Sequence, residues 1–152
     1  MKISKQVIVM RRDLKNAKGE KVRTGKLMAQ AAHASLKAIF DNMRWSKMRF
    51  GYGIVNEAEA QYGGNFILNE SDITDAMKDW LTGRFTKICV GVNSEAELLE
   101  VYNKSKEKGL ICSLITDAGL TEFNGVPTIT GCAIGPAWSD EVDEVTGKLP
   151  LL

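Results

Sequence analysis

The stretch Gln6-Val7-Ile8-Val9-Met10 constrains this chain most. Its apolar, β-branched residues do not alternate with polar ones, so it reads as a central strand buried on both faces. A helix signal follows. Leu27, Ala31, Ala34 and Ala38 recur at helical spacing, a stripe of small side chains that lets a helix lie close against a sheet. Thr24 is placed to cap that helix, which is expected to run to about Asn42. The basic stretch from Lys15 to Thr24 contains Gly19 and reads as a loop or a hairpin insert.

The same alternation continues along the chain. Residues 43–70, punctuated by Gly51, Gly53, Gly63 and Gly64, read as an irregular insertion with room for one short helix. Ser71 and Asp72 are expected to start a helix through Ala76, Met77, Trp80 and Leu81, ended by Gly83. Lys87 to Val92 is a second strand. Ser94 and Glu97 form a capping box that opens a helix through Leu98, Val101 and Tyr102, closed by Gly109. Cys112 to Thr116 is a third strand, ending at Asp117. Thr128 to Ile134 is a fourth, followed by Gly135-Pro136. An acidic turn or short helix at Asp140–Val145 precedes Gly147. Strands and helices in this order predict an α/β layered domain with a mixed sheet. The helix between strands two and three allows a parallel crossover, and a loop of about ten residues leaves strands three and four free to form a hairpin.

At 152 residues, with 44% apolar and 26% charged residues, the chain has the size and composition of one globular domain. Its three cysteines, Cys89, Cys112 and Cys132, are widely spaced and read as small core residues in a reducing compartment. No metal-ligand spacing accompanies them or the single histidine, His33. No apolar run stands behind the basic N-terminus, and none approaches the roughly 20 residues of a membrane span. The net charge of +1 conceals a split. Residues 1–50 hold 13 Lys/Arg and 3 Asp/Glu, a net +10, and the remainder carries −9. Either the N-terminal third forms a polyanion-binding face, or the two halves fold together and their charges intermix.

Two positions stand out. Lys26, Gln30 and His33 share one face of the first helix, continued by Lys37. Lys26 lies in the first turn, where the helix dipole is positive and a cation loses about 0.3–1 kcal/mol. It is either placed for an anion or is an exposed lysine that tolerates the cost. Asp117 ends an apolar strand, where α/β sheets open onto a crevice. It is either a site carboxylate, with Thr121 and Thr130 supplying hydroxyls, or the head of an Asx-turn across Ala118-Gly119.

Three segments together resemble the type-2 peptidyl-tRNA hydrolase family. They are Gly25-Lys26-Leu27-Met28-Ala29-Gln30-Ala31-Ala32-His33-Ala34, Asp117-Ala118-Gly119-Leu120-Thr121, and Ala133-Ile134-Gly135-Pro136 with Val145-Thr146-Gly147-Lys148-Leu149 after it. Val7–Leu14 and Trp80–Val92 fit the family's first-strand and second-strand regions. The chain departs from the family in a longer Lys15–Thr24 stretch, an expanded 43–70 region, and an Asp117-to-Thr130 loop one residue longer.

The resemblance implies a three-layer α/β/α fold around a mixed four-stranded sheet, in one domain spanning residues 1–152. It implies a cytoplasmic homodimer without cofactor or metal, acting on the ester between a peptide and the 3′ ribose of tRNA. It carries catalytic roles to Lys26, Asp117, Thr121 and Thr130, with Gln30 and His33 beside them. Thr130 is assigned by its register with Ala133–Pro136, and Thr128 competes with it. In this scheme Asp117 orients or deprotonates water, Lys26 stabilises an oxyanion or a terminal phosphate, and His33 holds Asp117 or Lys26 in place. Arg11, Arg12, Lys15, Lys18, Lys21, Arg23 and Lys37 become candidates for tRNA phosphates. Two other readings stay open: an RNA-binding or protein-interaction module without hydrolysis, and an aminoacyl-tRNA deacylase.

Overall fold

In the computed structural model, residues 2–46, 65–67 and 72–152 are described. The apolar run near the N-terminus lies inside the first strand, β1 (Ser4–Arg11), whose residues are buried from Ser4 to Met10. After it come α1 (Thr24–Phe40), β2 (Arg44–Ser46), β3 (Asn65–Ile67), α2 (Asp75–Thr82), β4 (Lys87–Val92), α3 (Glu95–Glu107), β5 (Cys112–Asp117), β6 (Thr128–Trp138) and α4 (Ser139–Thr146). The main sheet has the order β4-β1-β6-β5. β1 runs parallel to β4 and antiparallel to β6, and β6 is antiparallel to β5. The sheet is therefore mixed, and β5 does form a hairpin with β6. β4 and β5 are parallel, as the helix between them suggested, but the crossover carries the chain from one edge of the sheet to the other.

Strand alternation distributes two cores. Val7, Val9, Val90, Val92, Cys132 and Ile134 pack with Leu98 and Val101 of α3 and Val142 of α4. On the opposite face Ile8, Met10, Ile115 and Ala133 pack against Ala34 and Ala38 of α1. Each buried apolar side chain in such layers contributes roughly 1.5–3 kcal/mol. The alanine stripe brings α1 onto the sheet, and Gln6 of β1 is bridged to it by the Ser35 hydroxyl at 2.6 Å. α2 lies on the same face, where Asp79 accepts from Ser4 at 2.5 Å.

Several boundaries differ from the sequence expectation. Thr24 is the first helical residue of α1 and makes no side-chain cap; Arg23 occupies the capping position. α2 starts at Asp75, not Asp72, because the Thr74 hydroxyl accepts the Met77 N–H at 3.1 Å; Ser71, the other expected start, lies outside the described residues. At α3 the Ser94 hydroxyl accepts the Glu97 N–H, but the Glu97 carboxylate turns back to the Asn93 N–H rather than to that of Ser94. β6 does not stop at Ile134 but continues through a cis Gly135–Pro136 bond to Trp138. Within 43–70 the described ends pair as a short antiparallel ribbon of β2 and β3. The remainder of that insertion lies outside the described residues. Lys15–Lys21 is a hairpin: Lys15 and Lys21 pair, and the Asn16 side chain accepts the N–H groups of Lys18 and Glu20. Cys132 is buried, but Cys89 is exposed, because it alternates away from the core that holds Ile88 and Val90.

Candidate active site

The parallel strands β1, β4 and β5 end on the same side of the sheet. α1 begins there, so its first turn meets the end of β5. Asp117 is the last residue of β5. Its Oδ2 accepts from Lys26 Nζ at 2.5 Å and from Gln30 Nε2 at 2.8 Å. Its Oδ1 accepts the Gly119 N–H at 2.8 Å. Asp117 therefore heads the Asx-turn that the sequence allowed and also pairs with Lys26. Gly119 has φ +81°, and a Cβ there would meet the Val126 carbonyl at 2.3 Å, so the turn that supplies this donor requires glycine.

Lys26 also donates to Thr121 Oγ1 at 3.2 Å. Its ammonium lies 5.8 Å from the centre of the Phe123 ring. The first turn of α1 holds no acidic residue. Asp117 supplies the negative charge that the helix start lacks, and Glu122 adds a second carboxylate. Glu122 accepts the Arg23 N–H at 3.3 Å and the Arg23 guanidinium at 2.5 Å, while its main-chain carbonyl accepts from Ala17 at 2.8 Å. Leu14, Val22 and Phe123 form a small core beneath these contacts, with Leu27 packed against it. The basic hairpin, the start of α1 and the Asp117–Glu122 loop are thus one packed unit. Sequence reasoning did not single out Glu122 or Phe123. Glu122 meets Arg23 across 99 residues, and no local pattern signals such a pair.

Thr130 is fully buried, and its hydroxyl donates to Gln30 Oε1 at 2.8 Å. It meets Asp117 only through Gln30. A register shift explains its direction. Ile115 pairs with Gly131 and Thr116 with Ile129, so Thr130 is the extra residue of a bulge. Simple alternation from Ala133 would aim Thr130 at the α3–α4 face, and the bulge turns it toward α1. Thr128, the competing residue, donates to the Val126 carbonyl instead.

Burial alone would push the Asp117 carboxyl up. The Lys26 ammonium, the Gly119 N–H and the Gln30 amide outweigh it and hold the carboxyl below its ordinary range. Asp117 is therefore ionised at neutral pH. The pair is shielded: the side chains of Lys26 and Asp117 are 15% and 9% exposed.

His33 is exposed and lines a groove that also reaches Gln30 and Asp117. Among the described residues it hydrogen-bonds to neither Asp117 nor Lys26. Of the phosphate candidates, Arg11 is committed to Asp13, Glu95 and the Ile129 carbonyl. Arg12 grips the Pro150 and Leu151 carbonyls, and Lys37 pairs with Asp41 at 2.8 Å. Lys15, Lys18 and Lys21 stand exposed on the hairpin. Among the described residues no cluster of three His, Cys, Asp or Glu side chains is arranged to hold a metal ion.

A family model described as peptidyl-tRNA hydrolase PTH2 matches residues 4–152. Curated proteins named peptidyl-tRNA hydrolase are similar over nearly the whole chain. The one from Methanocaldococcus jannaschii is 34% identical over 148 residues, covering 97% of this chain and 99% of the relative. Those from Methanopyrus kandleri and Methanothermobacter thermautotrophicus are each 35% identical over 148 residues, covering 97% of this chain and 97% and 99% of the relatives. A match of this extent, with the lysine, glutamine and aspartate of the resemblance gathered at one strand end, places the chain in the PTH2 peptidyl-tRNA hydrolase family.

Proposed function

We propose that this chain hydrolyses the ester joining a peptide to the 3′ ribose of tRNA, releasing free peptide and reusable tRNA. The observation that carries the reading is the shielded Lys26–Asp117 pair, fixed at 2.5 Å and braced by Gln30.

The donor count leaves each partner one position for substrate. An ammonium has three N–H groups, and Lys26 uses one on Asp117 and one on Thr121. The third is available to the ester carbonyl. A carboxylate offers about four acceptor sites. Lys26, Gln30 and Gly119 occupy three on Asp117, and the fourth holds a water. The water oxygen attacks the ester carbon, and the oxyanion of the tetrahedral intermediate accepts from Lys26. The water proton passes to Asp117 as the C–O bond forms. Its lowered pKa makes Asp117 a weak base, so orientation of the water is its larger contribution. Thr121 accepts from Lys26, which leaves its own O–H free to hydrogen-bond the 3′ oxygen. As the ester C–O bond breaks, the proton taken up by Asp117 passes to that oxygen, giving the free 3′ hydroxyl and restoring the carboxylate. Thr130 and Gln30 hold the carboxylate in place.

Lys15, Lys18 and Lys21 track tRNA phosphates, and binding weakens steeply with salt. The setting is the cytoplasm, and the acting form is a homodimer. To test the reaction, the protein is incubated with N-acetylated and free aminoacyl-tRNAs and ester cleavage is followed, with Asp117→Asn as control. Cleavage of the blocked substrate alone supports the proposal. Cleavage of both makes the protein a general deacylase, and binding without cleavage makes it an RNA-binding module.

A further inference from the structure

Between α1 and β5 runs a groove of about 570 Å³ lined by Gln30, His33, Leu36, Lys37 and Phe40 on one wall and Leu114 to Ala118 on the other. One end opens at Gln30 and Asp117. The other closes where Asp41 accepts from Ser113 and from Lys37. Four strand steps separate Ser113 from Asp117, so the groove is roughly 13 Å long, enough for about four extended residues.

We propose that this groove holds the peptide half of the substrate, an inference that rests on the function proposed above. Charge divides the surroundings of Lys26. At the N-terminal end of α1 stands the hairpin with its exposed Lys15, Lys18 and Lys21, a surface for phosphates. Toward the C-terminal end of α1 lies the groove, where Lys37 pairs with Asp41 and, at the mouth, Asp117 pairs with Lys26. Leu36 and Phe40 are exposed along it. An uncharged chain with apolar side groups suits it, and the nucleic acid does not.

The sheet edge fits the same occupant. β4 is covered on its outer edge by Pro150–Leu152. Among the described residues no strand pairs with the outer edge of β5. A peptide can add its main-chain groups there. The groove also favours a blocked amine. A free α-ammonium next to the ester would lie beside the Lys26 ammonium, and the one acceptor position of Asp117 not filled by Lys26, Gln30 or Gly119 is taken by the water. A peptide amide carries no charge and escapes that repulsion.

The test compares an N-acetyl-aminoacyl-tRNA with a tetrapeptidyl-tRNA that shares its tRNA and esterified residue. Leu36→Asn is the variant, because Leu36 is 55% exposed and its replacement leaves the core intact. The parent should cleave the tetrapeptidyl substrate with a kcat/KM about ten-fold higher. Leu36→Asn should lose that gain and cleave the acetyl substrate at the parent rate. Equal kcat/KM for both substrates in the parent would overturn the groove assignment alone, as would an equal slowing of both in the variant. Sedimentation adds a further check: if Leu36→Asn turned a dimer into monomers, the groove would belong to a second copy, not to the peptide. If the parent cleaved neither substrate, the functional reading would fall and the groove with it.

Discussion

Among the described residues two lysine–aspartate pairs join helices to the sheet, and they are built differently. Lys5 of β1 reaches Asp143 of α4 at 2.6 Å, with side-chain exposures of 10% and 50%. Lys26 of α1 reaches Asp117 of β5 at 2.5 Å, with 15% and 9%. In the first pair the carboxylate faces water. In the second both charges are withdrawn from bulk solvent, and the carboxylate gathers a lysine, an amide side chain and a main-chain N–H. The difference separates a fastening from the shielded, multiply braced carboxylate on which the proposed reaction rests. A pair with one solvated partner contributes about 0–1 kcal/mol, and nothing further need be arranged around it. Burying both charges costs more than one contact returns, so the Lys26 pair persists through the frame that Gln30, Thr130 and Gly119 provide.

The sharpest way to break this comparison is to remove the two lysines. Lys26→Met should lower kcat for peptidyl-tRNA by roughly 10²–10³, the usual loss of an oxyanion donor. Lys5→Met should cost about 1 kcal/mol of stability, read from a urea melt, and leave kcat at the parent value. Equal effects on kcat would erase the distinction.

A smaller effect tests the frame. Thr130→Ala removes the hydroxyl on Gln30 Oε1 and leaves a buried acceptor unpaired, at a cost of about 1–3 kcal/mol. The slackened Gln30 should reduce kcat about ten-fold. Thr128→Ala loses only a bond to the Val126 carbonyl and should change neither quantity. Reversed effects would move the site threonine to Thr128.

The smallest expected effect concerns acid. The Asp117 carboxyl is held below its ordinary value in the folded protein, so it contributes stability above the unfolded carboxylate pKa, near 4. That contribution is lost as pH falls through the lower folded value. Between pH 7 and pH 3 the parent should therefore lose more stability than Asp117→Asn does, as urea midpoints would show. An identical loss would mean that the folded protein does not stabilise the Asp117 carboxylate.

Much of this architecture was legible because burial leaves a local signature. β1 could be read from its unbroken apolar run, which packs on both faces, and α1 from its alanine stripe, which packs on one. Lys26 was suspicious for a local reason too, a cation at a positive helix end. What escaped depends on distant partners. The charge split of the sequence did not survive folding intact: Lys5, Arg11 and Arg23 reach acids of the second half, and only part of the basic third remains as a surface. The bulge that aims Thr130 at Gln30 is set by pairing with β5, so counting from Ala133 could not choose between Thr128 and Thr130. Glu122 met Arg23 through tertiary packing alone.

The central claim is that Lys26 and Asp117 act as one unit, and a double-mutant cycle tests it most directly. Single-turnover cleavage of N-acetyl-aminoacyl-tRNA is measured for Lys26→Met, Asp117→Asn and the double variant. The pair account predicts that the double variant is about as slow as the slower single one. Losses that multiply, or a Lys26→Met protein that cleaves at the parent rate, would contradict it.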